Sequence, residues 1–213
     1  MDTPAIPLDK RFRGYLPVII DIETAGFNPK KNALLEIAAV IVELNGSGDL
    51  EITERYSTHV IPFKNSELDE AALKFNGIDP HHPFRMAVDE KVALEMLFKP
   101  IRHAVKRNNC TRAILVGHNP AFDIGFLNAA IARTQIKRSP FHPFSSFDTA
   151  TLGGLAYQQT VLAKIAQVAG LEWDNEKAHS ALYDAEKTAE LFCRVVNRWK
   201  QLETLAVQES LPG

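Results

Sequence analysis

The sequence is poor in cysteine, and its two thiols, Cys110 and Cys193, are 83 positions apart with no Cys-x-x-Cys or paired Cys/His spacing. That argues against a zinc finger or a disulfide scaffold and suggests a reducing cytoplasm as the working compartment. Long apolar runs are also missing. The longest stretches, Leu16 to Ile20 and Ile37 to Val42, are far shorter than the ~20 residues a membrane helix needs, so no membrane partner is expected. Residues 1–15 carry Asp2, Asp9, Lys10, Arg11 and Arg13 with no continuous apolar segment and do not read as a signal peptide. Charge of one sign is not in excess: 24 Lys and Arg against 26 Asp and Glu leave −2, giving no global pull toward nucleic acid. Internal repeats, low-complexity segments and linkers are absent. What remains, 46% hydrophobic and 23% charged over 213 residues, is the composition of one folded domain spanning residues 1–213.

Three apolar or alternating runs open the chain: Leu16 to Glu23, Ala33 to Leu44 and Glu51 to Ile61. Their β-branched content predicts strands, and Asn45-Gly46-Ser47-Gly48 supplies hairpin turn chemistry, so the expectation is an antiparallel meander. The period then becomes helical. Ser66 is expected to cap a short helix stopped by Gly77, and a longer helix follows from Ala87 to Asn108, with a kink expected at Pro100. Thr111 to Gly117 reads as strand, and Asn119-Pro120 as an N-cap with Pro at the first helical position of a helix ending near Arg133. A Pro- and Phe-rich loop, SPFHPFSSFD, precedes helices near Asp148 to Ala156 and Thr160 to Ala169, and an amphipathic helix closes the chain from Ser180 to Gln201. The pattern predicts an α/β class with a mixed central sheet, an antiparallel meander plus further strand, flanked by helices.

Three acidic elements could carry chemistry. Asp21 and Glu23 end the first strand, where its period of two puts both carboxylates on one face. With 26 acids in 213 residues, about three such pairs arise by chance, so the pair alone could be a solvated strand end. Gly117 to Asp123 reads as strand, turn and helix start, placing Asp123 in a first helical turn where the macrodipole favours an anion with or without a ligand. His179 and Asp184 open the last helix. Five residues are about 140° of helical rotation, so both face one site only if His179 precedes the regular helix, with Ser180 as a candidate cap. Glu36 interrupts an otherwise apolar strand and is a candidate support for nearby ligands. Asp148 reads first as an N-cap, His118 as a residue that fixes a turn, and His81-His82 as exposed loop.

Taken together and in this order, DIETAG, GHNPAFD and HSALYD resemble the three motifs of the DEDDh family of 3′→5′ exonucleases. RFRG at Arg11, FNGIDP at Phe75, SPFHPF at Ser139, FDTA at Phe147 and VNRWK at Val195 resemble the ribonuclease T-like branch of that family, over nearly the whole chain. The resemblance implies a ribonuclease H-like fold and hydrolytic trimming of single-stranded 3′ ends of tRNA and other stable RNA precursors to nucleoside monophosphates, with single-stranded DNA as a further substrate. It also implies that Asp21, Glu23, Asp123 and Asp184 hold two Mg²⁺ per subunit, with Mn²⁺ able to substitute, and that His179 is the general base. Hard oxygen donors with no Cys suit such ions. Phe27, Phe75, Phe122 and Phe144 would stack on terminal bases. Arg11, Arg13, Lys106, Arg112 and Lys137 would form a phosphate-binding patch that serves the partner subunit of a homodimer, although charge clusters of this kind are usually solvated surface. Ala71 stands where ribonuclease T-like sequences carry an acid, so discrimination between terminal bases through that acid is not expected here.

Overall fold

The computed structural model describes residues 6–209, with side chains described to residue 202. After two single-turn 3-10 segments, Leu8–Lys10 and Phe12–Gly14, the chain forms β1 (Tyr15–Thr24), β2 (Leu34–Leu44) and β3 (Leu50–His59). α1 (Glu70–Asn76) and α2 (Glu90–Arg107) follow, then β4 (Arg112–Gly117), α3 (Ala121–Thr134), β5 (Phe141–Asp148), α4 (Thr149–Tyr157), α5 (Leu162–Ala169) and α6 (Ala181–Glu209). The strands form one sheet in the order β3-β2-β1-β4-β5. β1, β2 and β3 make the expected meander, and β4 and β5 extend it in parallel with β1. This is the mixed α/β sheet that the sequence pattern predicts.

Two groups of helices flank the sheet: α2 packs with α3, and α6 packs with α4 and α5. Ile19, Ile20, Ile37, Ile41, Phe98, Phe126 and Phe192 are at most 1% exposed and fill the layers between. Each such side chain contributes about 1.5–3 kcal/mol by leaving water. Because β1, β4 and β5 are parallel, their carboxyl ends share one pole. β1 delivers Asp21 and Glu23 there, β4 leads into α3, and β5 leads into α4.

Local chemistry moved several boundaries. α1 starts at Glu70, not after Ser66, because the Asp69 carboxylate accepts from the Ala71 and Ala72 amides at 2.8 and 3.1 Å. α2 begins at Glu90 rather than Ala87 and carries Pro100 inside one continuous element. Asn119 adopts a left-handed φ of 63° instead of capping, and α3 begins at Ala121. The segment expected to be a loop, Phe141 to Asp148, is strand β5. It tolerates Pro143 because it is an edge strand, and its register with β4 is irregular. The His142 ring nitrogen satisfies part of the loss by accepting from the Ser145 amide at 2.9 Å.

Candidate active site

The tight turn after Glu23 sets the first carboxylates. Thr24 Oγ1 donates to the Gly26 carbonyl at 2.7 Å, and Gly26 has φ 142°. A Cβ at that position would lie 2.5 Å from the Asn32 side chain, so glycine is required there. The turn leaves Phe27 85% exposed beside the acids. Asp123, in the first turn of α3, is buried, and its carboxylate accepts the backbone amide of Ile22, between Asp21 and Glu23. Gly117 and Pro120 pack closely beneath it.

The third element arrives from α6. His179 precedes the helix with φ 68°, as its spacing to Asp184 requires, and its amide donates to Asp184 Oδ2 at 3.2 Å. Ligand atoms of Glu23, His179 and Asp184 lie within 4.8 Å of one another. Ser180, at the start of α6, donates from Oγ to Glu36 Oε1 at 3.5 Å. Glu36 stands directly across the ladder from Glu23.

The electrostatics follow from this crowding. Burial, then the charges of Asp123, Asp184, Glu23 and Glu36, push Asp21 well above the usual carboxylate range. Burial and the neighbouring Asp184 and Glu36 push Glu23 up to about 8. Asp123 and Asp184 are raised chiefly by burial. Asp184 Oδ1 is buried without a hydrogen-bond partner among the described residues. Mutually repelling oxygens, one of them unsatisfied, fit a hard divalent cation, which would turn this repulsion into attraction.

The aromatic residues divide. Phe27 and Phe122 meet edge to face at 6.2 Å beside the acids, and Phe122 leans on Phe126 at 5.0 Å. Phe75 is 68% exposed, but one side of its ring is occupied by the His179 imidazole at 4.3 Å. Phe144 is not in this group. It stands on His142, which stands on Tyr15 near the opposite pole. Ala71 is exposed in the first turn of α1.

That opposite pole holds the basic residues. Lys106 and Arg112 line a cavity of about 360 Å³ together with Arg102 and Cys110, Arg13 lies over Tyr15 at 5.3 Å, and Tyr15 pairs in register with Arg112. Arg11 precedes the same strand, and Lys137 lies in the exposed segment leading into β5. Tyr15 and Asp21 are six residues apart on β1, about 20 Å of extended strand, so this patch cannot reach the acids of its own chain.

Sequence reasoning missed Asn76. Its side chain hydrogen-bonds the Glu23 carboxylate and donates to the Thr24 carbonyl at 3.0 Å, tying the end of α1 to the end of β1. Its place beside Phe75 and before the left-handed cap Gly77 was the only signal. Asp148 is the N-cap of α4, as expected, and its carboxylate also accepts from the Asn119 amide at 3.0 Å. His118 joins Thr149 Oγ1 at 3.0 Å and the Thr160 carbonyl at 2.9 Å, fixing the turn rather than facing the acids.

The family model described as exonuclease, RNase_T, matches residues 18–192. Among solved structures, the chain is similar to E. coli exonuclease I in complex with a dT13 oligonucleotide, with 17% identity and a TM-score of 0.66 over 90% of this chain and 43% of that one. It is also similar to a 3′-exonuclease in a structure of 3′-end-specific recognition of a histone mRNA stem-loop, with 19% identity and a TM-score of 0.67 over 86% of this chain and 83% of that one. A third is the nuclease domain of 3′hExo, a DEDDh family member bound to rAMP, with 20% identity and a TM-score of 0.64 over 85% of this chain and 92% of that one. The chain thus spans less than half of exonuclease I. At these identities the structural likeness speaks for the ribonuclease H-like fold.

Proposed function

Since this chain belongs to the exonuclease family, we propose that it is a metal-dependent 3′→5′ exoribonuclease that trims single-stranded 3′ ends of tRNA and other stable RNA precursors, with single-stranded DNA as a second substrate. The observation that carries the reading is that Asp21, Glu23, Asp123 and Asp184, distant in sequence, come near enough for their charges to raise Asp21, while ligand atoms of Glu23, Asp184 and the exposed His179 lie within 4.8 Å of one another. Nucleic acid bound to the exonuclease I and 3′-exonuclease neighbours supports the substrate class.

The four carboxylates would hold two Mg²⁺ per subunit, for which Mn²⁺ would substitute. When bound, such a pair would supply activation of water and stabilisation of the leaving oxygen in an in-line phosphodiester displacement. His179 accepts the proton of the attacking water; its exposure lets the imidazole reach solvent and substrate, and its amide bond to Asp184 fixes where the chain turns. Asn76 orients Glu23 by hydrogen-bonding its carboxylate. Cleavage releases nucleoside monophosphates one at a time.

Phe27 and Phe122 form the stacking platform for the terminal base, and Phe75 supports it from the His179 side. A base–aromatic stack contributes ~1–3 kcal/mol, so Phe27→Ala or Phe122→Ala should raise KM about 5- to 150-fold with kcat largely kept. Steady-state kinetics check this, and a fall in kcat at unchanged KM would contradict it.

Arg11, Arg13, Lys106, Arg112 and Lys137 bind the phosphate backbone of RNA seated in the partner subunit of a homodimer, and Phe144 belongs with them. Neutralising Arg13, Lys106 and Arg112 should weaken binding of a long RNA and flatten its salt dependence by about one unit of log–log slope per lost contact, while sparing a dinucleotide. Equal loss on both substrates would remove the separate patch.

The reaction itself is tested with a stem RNA carrying a 3′ overhang, incubated with Mg²⁺ and sized over time. Stepwise shortening that stalls near the duplex is expected. Internal fragments, or shortening from the 5′ end, would overturn the reading.

A further inference from the structure

Glu36 is 8% exposed, yet it lies in the ladder opposite Glu23 and adds to the charge that raises it. A carboxylate buried beside three others, Asp21, Glu23 and Asp184, destabilises the metal-free fold unless it makes contacts that water would otherwise supply. Those contacts converge on the beginning of α6. Oε1 accepts from Ser180 Oγ at 3.5 Å, and the backbone amide of Leu182 reaches the same carboxylate. The first amides of a helix have no partner within the helix and favour an anion. Glu36 therefore supplies, from a neighbouring strand, an anion at the start of α6.

Its charge is balanced from behind. His59, its ladder partner on β3, places Nδ1 3.9 Å from Oε2. The Arg85 guanidinium lies close enough to interact with the Glu36 charge. It is fastened by hydrogen bonds to the carbonyls of Leu35, Val60 and Pro80.

We infer that Glu36 is a positioning residue: it clamps the Ser180–Leu182 entry of α6 to the sheet and so sets where His179 and Asp184 stand relative to Asp21 and Glu23. His179 is one residue before the clamp and Asp184 is two residues beyond it, both joined by the His179 amide bond to Asp184 Oδ2. Arg85 and His59 hold the clamp's anion in place. The inference rests on the proposed exonuclease reading for its kinetic consequence, but its structural part does not.

The test compares Glu36→Gln, Glu36→Ala and Ser180→Ala with the wild-type chain in two measurements. Amide hydrogen exchange on the metal-free protein should be faster at residues 180–184 in Glu36→Ala than elsewhere in α6. Steady-state kinetics on a single-stranded oligonucleotide should show kcat falling about 10- to 100-fold with KM within about threefold, as expected when a support behind catalytic groups is lost. Glu36→Gln keeps an acceptor and should recover most of both effects. Mn²⁺ affinity should change far less than in Glu23→Gln. If Glu36→Ala does not fold, Ser180→Ala and Glu36→Gln carry the same comparison. Unchanged exchange at 180–184 would overturn the clamp, as would loss of Mn²⁺ affinity as deep as that of Glu23→Gln, which would make Glu36 a ligand. If the wild-type chain cleaved nothing, the exonuclease reading would fall while the exchange result still decided the clamp.

Discussion

Replacing Asp21 with asparagine is expected to reduce turnover by about 10³- to 10⁴-fold while making the metal-free protein more stable. The two effects have one cause. Asp21 is held well above its usual range by burial and by four neighbouring carboxylates, so in the absence of a cation its charge is opposed by theirs. Asparagine keeps the shape and removes the charge. A rise in melting temperature of about 2–8 °C corresponds to relief of one to a few kcal/mol in a chain of this size. The effect should depend on pH in a defined direction. Glu23 has a folded-state pKa of about 8 against an ordinary value of 4.5. The folded state therefore holds the proton more tightly, and the stability this confers is complete below about pH 4.5 and lost as pH rises through 8. Metal-free wild type should melt at a lower temperature at pH 8 than at pH 5, with a smaller drop in Asp21→Asn, and saturating Mg²⁺ should restore more at pH 8 than at pH 5. Differential scanning calorimetry decides it; a pH-independent difference between the two proteins would show that the acids do not interact.

His179→Ala is expected to lower kcat by about 10²- to 10⁴-fold, the range for loss of a general base. Its Mn²⁺ affinity should stay near that of wild type, measured by isothermal titration calorimetry. The distinction matters because the imidazole lies in the same cluster as the Glu23 and Asp184 oxygens. Loss of Mn²⁺ affinity matching that of Asp184→Asn would make His179 a ligand instead of a base. The stack of its ring on Phe75 at 4.3 Å adds a second expectation, that Phe75→Ala affects kcat as well as KM, unlike Phe27→Ala.

The strands were legible because their signal is local. An apolar run with alternating ends dictates a strand, and Asn45 through Gly48 dictates the reversal after β2. The motif order DIETAG, GHNPAFD and HSALYD located the acids, since each sits at the end of an element whose type could be read. β5 was missed because prolines and aromatic residues look like loop chemistry when the neighbouring β4 that pairs with them is unknown. Helix starts were missed where several residues could cap, as with Ser66 and Asp69, and only the fold decides which carboxylate points at free amides. Asn76 and the Glu36 contact to Ser180 depend on residues 52 and 144 positions distant, a distance over which one sequence carries no pattern. Phe144 separated from the other three phenylalanines for the same reason: its side of the sheet is set by the irregular pairing of β5 rather than by spacing.

Anomalous diffraction from crystals soaked in Mn²⁺ tests the central claim most directly. The account predicts two peaks about 3.5–4 Å apart, bounded by the carboxylates of Asp21, Glu23, Asp123 and Asp184, and their loss in Asp21→Asn crystals treated identically. Mn²⁺ found elsewhere on the surface, with those four carboxylates left uncoordinated at saturating metal, would contradict it.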